Sequence, residues 1–180
     1  MTRLVLAVAI AILAPESALG QWKTPWSYEG ARGPEHWSLT QFHFHRPSEE
    51  YMNGKQYDMV IHLMHQADNG KVAGVAVLLQ AGNPNATIAR IWGHFPETAG
   101  KEEEIPGVEV NPAGLLPRKL GYYTYMGSLT APPCDEGVEW FVLKAPMEIS
   151  REEIATFAKL YPNDVRPLQP LNGRVIKQTR

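Results

Sequence analysis

The sequence predicts a mainly β (α+β) fold, and three observations carry that expectation. Short runs of alternating apolar and polar residues recur along the chain, turn signals separate them, and a single stretch carries a helical start signal followed by an apolar stripe. The strand-like runs are residues 39 to 45, 57 to 66, 71 to 82, 121 to 129 and 138 to 146. Between the second and third, Asp68-Asn69-Gly70 is a hairpin turn signal. Before the first, residues 21 to 36 are rich in Trp, Gly and Pro without a clean period, which reads as an irregular arm. Residues 83 to 120 read as loop-rich, with a solvated KEEE run at 101 to 104, and one helix is expected in the chain. The helix starts at Ser150, an N-cap whose capping box is completed by Glu153. Ile154, Phe157, Ala158 and Leu160 form its apolar stripe, and Pro162 ends it.

Residues 1 to 20 read as a secretory signal peptide: a basic Arg3, an apolar run from Leu4 to Ala14 too short to span a membrane, and a small-residue cleavage site at Ala18-Leu19-Gly20. Residues 21 to 180 are then one domain, periplasmic or secreted, with no later stretch apolar enough for a membrane span. A hydrophobic content of 44% permits a real core, and a formal charge of -2 offers no basic surface to nucleic acid. Exported proteins usually pair their cysteines, yet Cys134 is the only one in the chain.

The stretch QFHFHRPSEE, residues 41 to 50, carries the chemistry. On a strand, His43 and His45 share one face with Gln41, while Phe42 and Phe44 share the other. Two adjacent imidazoles are half of a catalytic zinc site, which takes three protein ligands and keeps a fourth position for water. In YDMVIHLMHQ, residues 57 to 66, alternation groups His62 with Val60 and Met64, and His65 with Ile61 and Leu63. Only one of these histidines can join the pair, and periodicity does not choose between them. A cupin-like pattern also fits locally at His43, His45, Glu49 and Gly54, but the later histidine near a Pro-x-Gly turn that it requires is not found.

GSLTAPPC at 127 to 134, WSYEGARGPEHW at 26 to 37, QFHFH at 41 to 45, IHLMH at 61 to 65 and RPLQPLNGR at 166 to 174 together resemble the α-class carbonic anhydrases, in that family's order. The resemblance covers nearly all of the chain after residue 20. It implies the family's twisted, mostly antiparallel central sheet with few short helices. It also implies the family's reaction, the zinc-dependent reversible hydration of carbon dioxide to bicarbonate and a proton. His43, His45 and His62 are by resemblance the Zn2+ ligands, with His65 a buried neighbour. Three neutral imidazoles leave zinc its full charge, which lowers the pKa of bound water from about 15.7 to about 7. The same resemblance makes Thr130 the acceptor that orients the attacking oxygen and Glu49 the acceptor for the threonine's proton. Leu129, Met64, Trp140 and Ala131 line its apolar substrate pocket, while Gln41 orients His43.

Two signature positions depart from the family. Val60 stands where an acidic residue normally precedes the third histidine, and Glu50 stands where His or Asn normally follows Glu49. Losing such an outer partner costs about 10 to 100-fold in metal affinity or activity, so Glu50 is expected to reach His62 and restore part of the contact. A segment that the family carries between the GPEHW arm and QFHFH is missing near residues 37 to 40. With it go some strands, the partner of Cys134 and a proton-shuttling histidine. A lost disulfide costs about 2 to 5 kcal/mol, and exposed strand edges or Cys134 invite self-association. Turnover is expected to be slow and buffer-dependent. The competing readings are a catalytically impaired relative that binds zinc or a partner, and a deletion product that does not fold stably.

Overall fold

The computed structural model describes residues 35 to 100 and 104 to 180, so the expected signal peptide, most of the N-terminal arm and most of the KEEE run lie outside the described residues. The strands are β1 (Trp37–His45), β2 (Tyr51–Met52), β3 (Lys55–Gln56), β4 (Met59–Ala67), β5 (Val72–Ala81), β6 (Tyr122–Ser128), β7 (Glu136–Leu143), β8 (Met147–Ile149) and β9 (Lys177–Gln178). Among the described residues they form one sheet in the order β1-β4-β5-β7-β6-β9, with β8 beside β5, and a separate β2-β3 hairpin. The mainly β expectation holds. The sheet is mixed, because β5 pairs with β7 and β8 in parallel while its other pairings are antiparallel.

β4 is apolar almost throughout because both of its faces are covered. Ile61 and Leu63 join one core, with Val77, Leu79, Ile149 and Phe157. Val60 and Met64 join the other, with Ala76, Leu78, Val138, Trp140 and Val142. The turn signal at 68 to 70 closes the β4-β5 hairpin: Gly70 takes a φ of 84°, and the Ala67 N–H donates to Lys71 O at 2.9 Å. A second glycine brings the second core together. A Cβ on Gly74 would stand 2.5 Å from the Trp140 ring, so only the missing side chain lets the indole lie against β5.

The expected helix is α2 (Arg151–Ala158). Ser150 Oγ accepts from the Glu153 N–H at 3.1 Å, and the Ser150 N–H donates to Glu153 Oε2 at 2.8 Å. Ser150→Ala removes the cap and is expected to lower unfolding free energy by about 1 kcal/mol, read from the urea midpoint. The expectation of one helix is corrected by a second, α1 (Ala86–Trp92), which with a 3-10 turn at Pro112–Leu115 interrupts the loop-rich segment 83 to 120. Asn85 caps α1, accepting from the Thr87 and Ile88 N–H groups at 2.9 and 3.0 Å. Seven residues are too few for helical periodicity to emerge, and packing makes the helix: Trp92 meets Phe44 at 4.7 Å between ring centroids and donates its indole N–H to Glu153 O. Both helices cover the first core, which leaves the opposite face of β1 and β4 for the histidines.

Candidate metal centre

β1 and β4 run antiparallel with His43 opposite His62 and His45 opposite Val60. That register answers the question periodicity left open. His62 stands beside His43 and His45, while His65 lies on the other face, buried, with Nδ1 donating to Leu63 O at 3.0 Å. The three rings meet edge to edge with centroids 4.9, 5.2 and 5.0 Å apart. One nitrogen from each lies within 4.8 Å of the others, an arrangement that can hold a metal ion.

Each ring is held by its other nitrogen. His43 Nδ1 donates to Gln41 Oε1 at 2.9 Å, His45 Nδ1 to Asp164 O at 3.0 Å, and His62 Nε2 to Glu50 Oε1 at 2.9 Å. All three partners are acceptors only, so each proton sits on the outer nitrogen and each inner nitrogen keeps its lone pair. Two of those inner atoms, His45 Nε2 and His62 Nδ1, are buried without a hydrogen-bond partner, a costly state that a cation would relieve. Burial, then repulsion from His62 and His45, pushes the His43 pKa down to about 4, so that ring is neutral and ready to ligate at neutral pH. The His45 pKa is pushed the other way: burial opposes its charge, but Asp164 and Glu49 outweigh burial.

Glu49 and Glu50 approach His62 from opposite sides. Glu49 Oε2 lies 3.9 Å from His62 Nδ1 and 3.7 Å from His45 Nε2, buried and without a donor, while Glu49 Oε1 accepts from the Arg166 N–H at 2.8 Å. The expected bond from Thr130 to Glu49 is not among those of the described residues; Thr130 stands half-buried just past β6. Of the expected pocket residues, Met64 and Trp140 are in the second core with Leu129 packed against it, and the Trp140 ring lies 4.6 Å from that of His62. Ala131 is exposed and stands apart from that cluster. A cavity of about 310 Å³ also borders Glu49, Glu50 and Trp140, but no histidine lines it.

Asp164, Arg166 and Ser48 hold the site together and were not singled out in the sequence. Arg166 opens the RPLQPLNGR motif and was within reach. Asp164 serves through its backbone carbonyl and also through its carboxylate, which accepts from the Arg46 N–H at 2.8 Å and lies 3.6 Å from His45 Nδ1; it falls in no motif that the sequence offered.

Residues 16 to 180 match the family model for eukaryotic-type carbonic anhydrases. A carbonic anhydrase from Nostoc sp. is 42% identical over 138 residues, covering 77% of this chain and 52% of the relative. The α-carbonic anhydrase of Thermovibrio ammonificans, solved with the inhibitor sulfanilamide, is 40% identical with a TM-score of 0.75, covering 79% of this chain and 63% of that one. A hyperthermostable carbonic anhydrase from a hydrothermal vent chimney is 44% identical with a TM-score of 0.76, covering 81% and 65%. The chain thus spans little more than half the length of the curated relatives it matches.

Proposed function

This chain belongs to the eukaryotic-type carbonic anhydrase family, and from that premise we propose that it hydrates carbon dioxide reversibly to bicarbonate on a Zn2+ ion held by His43, His45 and His62. The observation that carries the reading is the set of three imidazoles with lone pairs converging on one point and outer nitrogens tied to acceptors. Zinc bound there would supply a Lewis acid that makes water a nucleophile near neutral pH.

The chain's own residues do the rest. Gln41, the Asp164 carbonyl and Glu50 keep the three rings turned inward. The free Glu49 oxygen is the acceptor available to a hydroxyl at the site, and we assign Thr130 to supply it, so that the pair aligns the attacking oxygen. Leu129, Met64 and Trp140 present an apolar wall suited to an uncharged substrate. Residues 21 to 180 are read as one domain. The greater length of the relatives supports the reading of a shortening near residues 37 to 40. The pattern of residues 1 to 20 supports export to the periplasm or beyond. β1 ends the sheet among the described residues, which supports self-association through its edge. Among those residues no helix is long and apolar enough to cross a membrane.

The test is carbon dioxide hydration by the zinc-loaded chain with and without a chelator. Hydration that disappears on chelation is the expected result. A rate equal to the chelated control in every buffer tested would overturn the enzymatic reading.

A further inference from the structure

We propose that Ser48 is a positioning residue for the metal centre, acting through Glu50 on His62, so that ligand geometry depends on the β2-β3 hairpin rather than on β4 alone. The inference rests on the metal reading above and deepens it.

Ser48 is 0% exposed, and every polar group it carries is used. Its hydroxyl donates to Glu50 O at 2.8 Å and accepts from the Tyr57 N–H at 2.9 Å. Its own N–H donates to Tyr57 O at 3.0 Å, and its carbonyl accepts from Gln56 Nε2 at 2.8 Å. A hydroxyl has one proton to give, and Ser48 gives it to the backbone of the residue whose carboxylate holds His62. The clasp therefore spans the hairpin and fixes the chain where both carboxylates depart. From there Glu49 goes to the Arg166 N–H and Glu50 goes to His62 Nε2.

The ligand strand offers no substitute. Val60, two residues before His62 and on its face, is fully buried and has no polar side-chain atom. His62 is itself 0% exposed, so in the intact protein Glu50 rather than solvent is the partner of its Nε2. If the loop relaxes, the imidazole loses the acceptor that fixes its tautomer and its inner lone pair is no longer directed at the ion. A serine that only stabilised a turn would affect folding and leave ion affinity alone.

The experiment compares zinc affinity, by chelator competition on the full chain, for the unaltered protein, Ser48→Ala, Glu50→Ala and the double variant. The visible spectrum of bound Co2+ reports ligand geometry, and thermal unfolding of the metal-free chains reports stability. Glu50→Ala is expected to lose about 10 to 100-fold in affinity, Ser48→Ala most of that, and the double variant no more than Glu50→Ala, because the two act in series. Both single variants should shift the Co2+ bands. Glu50→Gln preserves shape and an acceptor, so it tests the Glu50 arm even if Ser48→Ala fails to fold; its expected loss is several-fold. Unchanged affinity in Ser48→Ala, in Glu50→Ala or in Glu50→Gln overturns the inference, as does a double variant whose loss is the product of the single losses. No zinc binding by the unaltered chain would instead overturn the metal reading beneath it.

Discussion

Replacing His62 with alanine is expected to leave the chain without a bound metal ion and to drop carbon dioxide hydration to the chelated background. Three imidazole nitrogens lie within 4.8 Å of one another, and the two that β1 supplies cannot by themselves make the three-ligand zinc site proposed above. The cost also falls on folding. Glu50 Oε1 loses its partner while buried, a loss of about 1 to 3 kcal/mol, and the Trp140 ring loses the imidazole packed 4.6 Å from it. The control is His65→Ala, three residues further along β4. That change also removes a buried imidazole, but from the opposite face, so the variant should keep one zinc per chain. Zinc stoichiometry by elemental analysis, with hydration measured on the same samples, separates the two. Metal retained by His62→Ala and lost by His65→Ala would mean that β4 is turned over relative to this structure.

That control works because of what the sequence could and could not settle. Alternation in QFHFH put His43 and His45 on one face, as found, since period two is a property of any strand. It also grouped His62 with Val60 and Met64. Which face of β4 meets β1 depends on a register set by two cores, and nothing local in YDMVIHLMHQ encodes it. The family resemblance supplied that choice, and the register agrees with it. The Glu50 contact was legible as a pair of altered positions: an acid gone from 60 and one gained at 50 point to the same imidazole, and the bond at 2.9 Å joins them. Asp164 and Arg166 reach the site from 119 and 117 positions away, a separation that no local pattern bridges: the first through its carbonyl and carboxylate, the second through a backbone N–H that every residue carries. Ser48 was hidden for another reason, because serine in a loop is ordinary and only its complete burial marks it. The short α1 was missed since its stability comes from Trp92 and Phe44 rather than from a long apolar stripe.

The largest stability loss is expected from Trp140→Ala. The indole is 3% exposed, rests on the bare backbone of Gly74, lies against His62 and donates its N–H to Ser128 O at 3.0 Å. Truncating a large aromatic in a packed core costs about 3 to 5 kcal/mol, because the transfer term and the residual cavity add. A domain's whole margin is about 5 to 15 kcal/mol, so the variant should unfold at markedly lower urea. Trp140→Phe keeps a ring but no donor for Ser128 O. It should lose less, about 1 to 3 kcal/mol for the unpaired carbonyl and the smaller fill. The site should feel both changes, since Ser128 immediately precedes Leu129 and Thr130, and the indole anchors the start of that loop as well as the wall behind His62. Zinc bound to the folded chain would stabilise it by an amount that grows with the logarithm of its affinity. The gap between zinc-free and zinc-loaded unfolding midpoints should therefore narrow in Trp140→Ala beyond what the zinc-free loss predicts. An unchanged gap beside a large zinc-free loss would make Trp140 core alone and separate the stability of the second face from the geometry of the ion site.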